Sequence, residues 1–343
     1  MNDFEKARLI YDLQQSPENA DAAIENIKNS LSPDIAARID NIMHSFKQED
    51  IFKYLFSSLP YVHLIHSLDE TQYPDQSKEK FQVPDSIVIL KNSNNEYYPI
   101  LIDFKSVSGE KETLKNVQIQ QTEILKVYSD TLQIPQIYAI YWEKLRMWTI
   151  NSLDQFERKT SQFKLPIATA FVNDLSSLFG DITYSFPAGY TRKSVIDPSI
   201  DNNDQYTTHE KYGTVIENYI TFDEINYTKI DISESAIIDS TTKMKEIKCE
   251  MEGNLLHLYE IAEHPIALKL SNLTLRLLAK FDADITANDI QSASQIIRKF
   301  FARLNSLNSH TIPLQNTKMS QELFEKAFYP GKLYDDYKQI HAL

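Results

Sequence analysis

Two strand-like runs joined by a polar turn constrain this chain more than any other feature of it. Asp85 to Leu90 (DSIVIL) and Tyr97 to Ser106 (YYPILIDFKS) flank Lys91-Asn92-Ser93-Asn94-Asn95 and predict an antiparallel hairpin. Side chains along a strand alternate between faces, so Asp103 and Lys105 project together while Ile100, Ile102 and Phe104 point the other way. If Asp85 opens the neighbouring strand, the hairpin brings its carboxylate near Asp103. Two acidic oxygens so placed suit a hard cation such as Mg²⁺, with Mn²⁺ as a substitute. The ion would polarise a scissile phosphate and bind the attacking water, and Lys105 would orient or deprotonate that water and offset charge in the transition state. The plainer alternative is a solvated Asp103–Lys105 surface pair.

The surroundings of the hairpin predict a mixed α/β (α+β) architecture. Ala22 to Leu31 and Ile35 to Leu59 carry apolar residues at helical spacing, broken at Ser32-Pro33 and stopped by Pro60. A strand, Tyr61 to Ile65, precedes the hairpin. A helix over about Leu114 to Leu132 follows it, then strands at Gln136 to Trp142 and Arg146 to Ile150. Pro166 marks a boundary. Beyond it come a helix at Ile167 to Phe179, a polar stretch over 185–210, a strand-like acidic region over 211–240 and a helical region over 254–343 in which Thr286 and Asp289 form a capping box. Three parts result: an N-terminal helical segment (1–40), a core (41–165) and a mixed C-terminal domain (166–343).

Composition removes several function classes. The chain has six glycines, and the closest two, Gly180 and Gly189, are too far apart for a phosphate-cradling loop. No G-x-S-x-G or H-E-x-x-H motif occurs. The single cysteine, Cys249, rules out an internal disulfide or a multi-cysteine zinc site. No apolar run reaches membrane-spanning length and the N-terminus has no apolar leader, so a cytoplasmic protein with no membrane partner is expected. The net charge of −13 argues against a broad nucleic-acid-binding surface, yet the acid is uneven: residues 101–200 are balanced while 201–250 carry an excess of six acids.

Pro84-Asp85 followed by Asp103-Phe104-Lys105 resembles the motif of the PD-(D/E)xK nuclease superfamily. The resemblance covers roughly residues 41–150. It implies a restriction-endonuclease-like mixed sheet flanked by helices and a Mg²⁺-dependent endonuclease acting on DNA, leaving 5′-phosphates. Restriction or anti-phage defence is the implied setting, by analogy alone. Members of the superfamily often add an acidic residue from the preceding helix. Glu49 lies in the stripe Ile42, Phe46, Phe52, Phe56, Leu59 and is the candidate third metal ligand beside Asp85 and Asp103, with Asp50 competing. The helix after the motif often adds a polar residue, and Gln121 falls among Val117, Ile124, Leu125 and Tyr128. Glu49 reaching water at the stripe's edge and Gln121 bonded to backbone are the bland readings.

Ser106, Lys111 and Lys115 are candidate substrate contacts, or else exposed hydroxyl and solvated lysines. Lys126, Lys144 and Arg146 share that ambiguity. Pro74-Asp75 is read as a loop, and His63 and His66 as opposite faces of a strand. The C-terminal domain would recognise substrate, form a homodimer or bind a partner protein. Two alternatives stay open: a catalytically inactive interaction module, and an RNA-cleaving relative.

Overall fold

The computed structural model describes residues 2–16, 20–68, 80–92, 95–108, 114–201, 204, 207–281, 285–308 and 313–314. Lys111 and the Pro74-Asp75 pair lie outside them.

The chain opens with helices α1 (Asp3–Gln14), α2 (Asp21–Lys28), α3 (Pro33–Ala37) and α4 (Ile39–Ser57). A capping box starts α1: Glu5 N donates to the Asn2 side chain at 2.8 Å and Asn2 N to the Glu5 carboxylate at 2.7 Å. Arg8 on α1 binds Asp50 on α4 at 2.9 Å, and the Tyr11 and Phe46 rings meet beside it. The helix expected over Ile35 to Leu59 is two helices, and its inward face is Gln48, Ile51, Phe52, Leu55 and Phe56. Ile42 and Phe46 are only half-buried.

Strands β1 (Val62–Ser67), β2 (Ser86–Lys91) and β3 (Tyr97–Val107) follow, then β4 (Leu114–Gln118), α5 (Ile119–Leu132), β5 (Gln136–Trp142) and β6 (Met147–Asn151). The main sheet has the order β1-β2-β3-β5-β6, with β3 and β5 parallel and the other pairs antiparallel. A parallel pair needs a long crossover, which β4 and α5 supply. The expected hairpin is β2–β3, and the mixed sheet flanked by helices is the observed architecture.

Alternation along the two central strands sorts side chains into two cores. Ile100, Ile102, Phe104, Ile137 and Ala139 pack with Phe52 and Phe56 of α4 and with Trp148. Val107, Tyr138, Ile140 and Trp142 pack with Val117, Leu125 and Leu165 on the opposite face. Strand β3 is therefore buried on both sides, and Asp103, 1% exposed, is not the solvated surface residue of the plainer reading.

One helical expectation fails at its start. Leu114–Gln118 is a strand paired with β8 (Gln162–Pro166), which also pairs with β7 (Glu157–Arg158). Val117 and Leu165 enter the second core through that pairing, and tertiary burial overrides a short segment's helical pattern. The expected helix over Ile167 to Phe179 is a short α6 (Ile167–Val172) and a 3₁₀ turn (Ser176–Phe179). Asp174 between them accepts from Ile150 N at 2.7 Å and Ser176 N at 3.2 Å, tying the chain to β6 instead of continuing the helix.

The C-terminal half contains β9 (Thr183–Phe186), β10 (Thr191–Asp197), β11 (Thr208–His209), β12 (Gly213–Thr221), β13 (Thr228–Ile230) and α7 (Ile232–Thr241). After these come β14 (Met244–Glu252), β15 (Leu255–Ala262), β16 (Ile266–Lys269), α8 (Leu270–Lys280), α9 (Ala287–Asn308) and β17 (Pro313–Leu314). A second antiparallel sheet runs β11-β12-β10-β15-β14, with β13 also on β12. The strand-like reading of 211–240 misses α7, which an Asp231–Glu234 capping box starts, and the helical reading from 254 misses β15 and β16. The Thr286–Asp289 cap does form, with Asp289 N donating to Thr286 Oγ1 at 3.2 Å. Ile290, Ile297, Phe300, Phe301 and Leu304 of α9 join the same cluster as Phe52 and Phe104, so the larger core crosses residue 166.

Gly180 closes the turn that joins this half to the first sheet. Its φ is +84°, and a Cβ there would lie 2.8 Å from Pro60 Cδ. Gly180→Ala is expected to cost about 1–3 kcal/mol of unfolding free energy in denaturant titration, from strain plus the clash. Gly189→Ala, at φ +85° with nothing within 4 Å, should cost only the backbone part.

Candidate active site

The hairpin register assembles the first three residues. Ser86 lies opposite Ile102, so Asp85 stands one step beyond the ladder, beside Asp103. Asp85 Oδ2 accepts a hydrogen bond from Phe104 N at 2.5 Å, which anchors its carboxylate across the strand. Lys105 Nζ pairs with Asp103 Oδ2 on the same face of β3, as alternation requires. That oxygen is fully buried, so the lysine is its charge partner within the chain.

Electrostatics follow from this crowding. Burial first, then the neighbouring Asp103 and Glu49, push Asp85 well above the usual carboxylate range. Burial works against charge on Lys105, but Asp103 and Asp85 outweigh it and hold the ammonium above its ordinary value. That balance is the one of the metal-free site, in which the two carboxylates face the lysine directly.

Helix α4 contributes Glu49 and turns Asp50 elsewhere. Asp50 is engaged by Arg8 at 2.9 and 3.1 Å and by Lys53 at 3.4 Å, whereas Glu49 has Lys53 at 4.0 Å and lines a cavity at the site. Burial drives the Glu49 carboxyl up to about 7, against the pull of Lys53 and Arg8. A carboxyl raised on folding binds more protons in the folded state, so its stabilising contribution is lost as pH rises from its unfolded value through about 7. Without divalent ions, the thermal midpoint of wild type relative to Glu49→Gln should fall between about pH 5 and about pH 8. A difference independent of pH would contradict this placement of Glu49.

The cavity, ≈ 180 Å³, is walled by Phe104 and Trp148 and rimmed by Ser45, Gln48, Glu49, Lys105, Ser106 and Lys115. Lys115 reaches it from β4, donating to Ser106 O at 2.8 Å, and burial together with the nearby Lys105 lowers its pKa to about 8. Ser106 and Lys115 are thus brought to the site. Gln121 is half-buried on α5, where Thr122, Leu125 and Ser129 are the buried positions. Among the described residues no hydrogen bond joins Gln121 to Glu49, Asp85, Asp103 or Lys105. Lys144 and Arg146 are exposed at the β5–β6 turn.

Sequence reasoning overlooked Gln48 and Trp148. Gln48 carried a signal, since it sits four and eight residues before Phe52 and Phe56 and so continues the buried face of α4. Trp148 carried none, because only the packing of β6 against α4 puts it there.

Among the described residues, no group of three or more His, Cys, Asp or Glu side chains is gathered closely enough to hold a metal ion. The donor chemistry nevertheless fits a hard divalent cation. Asp85 and Asp103 offer oxygen ligands side by side, and Glu49 adds negative charge beside them.

No family model matches the chain, and no curated protein matches it. Among solved structures it is similar to Hjc of Archaeoglobus fulgidus, a Holliday junction resolvase from an archaeal hyperthermophile. The identity is 15% and the TM-score 0.27, over 36% of this chain and 91% of that one. So slight a likeness carries no argument about function. No described helix is long and apolar enough to cross a membrane.

Proposed function

We propose that this chain is a metal-dependent nuclease of the PD-(D/E)xK kind that hydrolyses phosphodiester bonds, with DNA as substrate. One observation carries the reading: Asp85, Asp103 and Lys105 are gathered where β2 begins against β3, a strand buried on both faces, beside a cavity lined by Lys105 and Glu49. Burying several charges together is costly, and a site of perturbed titratable groups beside a cavity is where chemistry is expected.

Asp85 and Asp103 would hold a divalent ion with Glu49 in support, and that ion would polarise the phosphate and bind the attacking water. The Phe104 N–H keeps Asp85 in position. Lys105, on the same face of β3 as Asp103, offsets the charge that develops on the phosphate and orients or deprotonates the attacking water. Ser106 and Lys115 contact the substrate backbone. Gln121 is assigned a supporting role on α5, and residues 166–343 the recognition of substrate or of a partner.

The test is incubation of purified protein with plasmid and with RNA, in Mg²⁺, in Mn²⁺ or in EDTA, beside Asp103→Ala and Lys105→Ala. Cleavage of plasmid only with metal, and lost in both variants, is the expected result. Cleavage of RNA alone would move the substrate to RNA. Cleavage unchanged in both variants, or absent in every metal, would sink the assignment and leave an interaction module.

A further inference from the structure

The second sheet opens a gap far along the chain from the Asp85–Lys105 centre. Among the described residues β12 pairs with β11 only at Gly213 and Thr214 and with β13 only over residues 218–220, so residues 215–217 lie outside both ladders. The strand also bulges there: Val195 stands opposite Glu217 and Ile196 opposite Val215, which leaves Ile216 as the extra residue. Bulges re-aim side chains and recur beside functional sites. A cavity of ≈ 310 Å³ lies at this gap, walled by β12 and α7, and its lining has no described residue in common with that of the cavity at Lys105. Ile216, 43% exposed, and Ile232, 39% exposed, belong to the lining and keep apolar surface open to solvent. Apolar walls with a few placed polar groups are the usual form of a small-molecule site.

Two polar atoms of the lining are left for a ligand. Arg192 Nη1 holds Asp239 Oδ1 at 2.5 Å, while Oδ2 has no donor among the described residues and the side chain is 33% exposed. Asn218 Oδ1 accepts from Ser194 Oγ at 2.7 Å, and its Nδ2 has no acceptor among the described residues. Asn218 is half-buried and Nδ2 is not among the fully enclosed atoms, so a ligand can reach it. The cavity therefore offers a fixed acceptor, Asp239, and a fixed donor, Asn218, between the apolar side chains of Val215, Ile230, Ala236 and Phe281.

Charge narrows what can enter. In the lining Arg192, Lys229 and Lys280 are matched by Glu217, Asp231 and Asp239. Arg192 is spent on Glu260, Asp239 and Ser235, and Lys229 pairs with Glu217 at 2.6 Å. A free anion or a nucleic-acid strand gains little from such a lining, and residues 201–250 carry an excess of six acids. A bare sugar has no apolar face for the walls to cover. An uncharged heterocycle with an amino group beside a ring nitrogen meets every condition, since carboxylates accept from base amino groups and amides donate to base nitrogens. A volume of ≈ 310 Å³ equals about ten waters, room for a base and its ribose. We propose that this cavity binds a free nucleoside with an amino-bearing base, adenosine or cytidine, through Asp239 and Asn218. The site is independent of the nuclease reading and stands or falls without it.

Calorimetric titration of the wild-type protein in EDTA with adenosine, inosine, cytidine, uridine and ribose provides the test. Inosine and uridine reverse the recognised edge, with a carbonyl for the amino group and a ring N–H for the ring nitrogen. Adenosine should bind about a hundredfold more tightly than inosine, or cytidine than uridine, at about tenfold for each hydrogen bond lost. Ribose should not bind. Asp239→Ala, which leaves Arg192 its bonds to Glu260, and Asn218→Leu should each weaken binding by about tenfold, and Lys105→Ala should not. Equal affinity within both pairs, or no binding of adenosine or cytidine at millimolar concentration, would overturn the site. So would binding lost in Lys105→Ala but kept in Asp239→Ala, which places the nucleoside at the nuclease centre, or tighter binding of tetradeoxyadenylate than of adenosine, which marks a strand site. Should the variants fail to fold, the wild-type comparison of amino and carbonyl bases decides alone.

Discussion

Asp85→Asn is expected to abolish metal-dependent cleavage and at the same time to raise the thermal stability of the metal-free protein. The two effects share one cause. Burial and the neighbouring Asp103 and Glu49 disfavour the charged carboxylate, so at neutral pH Asp85 is a cost to the fold. Asparagine removes that charge while its side-chain oxygen still accepts from Phe104 N. As its folded pKa is raised, Asp85 destabilises increasingly as pH climbs above the ordinary carboxylate value, and the gain from Asn should therefore be largest at high pH. Plasmid-nicking rates should fall by about 10²–10³-fold or more, the usual result of deleting one preorganised electrostatic group. Asp103→Ala and Lys105→Ala should fall similarly, and the double variant no further than the worse single one, since the pair acts as a unit. A residue with a purely structural role would show the opposite pattern, destabilised but active.

The second large effect lies outside the active-site cavity. Arg192 on β10 binds the Glu260 carboxylate through Nε at 3.0 Å and Nη2 at 2.7 Å, and Asp239 and Ser235 through Nη1 at 2.5 and 3.2 Å. Its side chain is 9% exposed. Burial works against its charge, and Asp239 and Glu260 outweigh that. Arg192→Met strands two carboxylates against α7 and the second sheet, and should cost about 3–5 kcal/mol of stability. In thermal denaturation followed by circular dichroism this corresponds to a drop of about 4–7 °C for 343 residues, at about 2.1 cal/mol/K of unfolding entropy per residue. Replacing Asp239 and Glu260 by leucine in the same protein should recover most of the loss, because the penalty is the unpaired charge and not the missing arginine. No recovery would mean that the guanidinium fills a space leucine cannot.

Legibility in the sequence followed the range of the interactions. The β2–β3 hairpin and the end of α4 at Pro60 depend on alternation, turn residues and helix stops within a few positions, and the structure has them within a residue or two. Leu114–Gln118 was misread because its five residues fit a helix or a strand, and its partner, Gln162–Pro166, lies over forty residues away. Likewise α7 was hidden by Ile232, Ala236, Ile237 and Ile238, whose β-branched and apolar run reads as strand until the Asp231–Glu234 cap is recognised. Of the candidate site residues, Ser106 and Lys115 reach the cavity and Gln121 lies half-buried on α5, while Lys111 lies outside the described residues.

Asp103 and Lys105 were set on one face by sequence alone, because a two-residue period admits nothing else. Sequence also placed Asp85 at the mouth of the adjoining strand. What it could not decide was depth and company. Only the packing of α4 on one face and of β4, α5 and β8 on the other buries β3 on both sides and gives Asp103 and Lys105 a low-dielectric setting. Glu49 lines the cavity while Asp50 is held by Arg8 of α1, more than forty residues earlier in the chain. The lining of the cavity comes from α4, β3, β4 and β6, elements that meet only in the folded protein. Residues that share a strand are legible from local geometry, and residues that share a cavity are not, because packing between distant segments selects them.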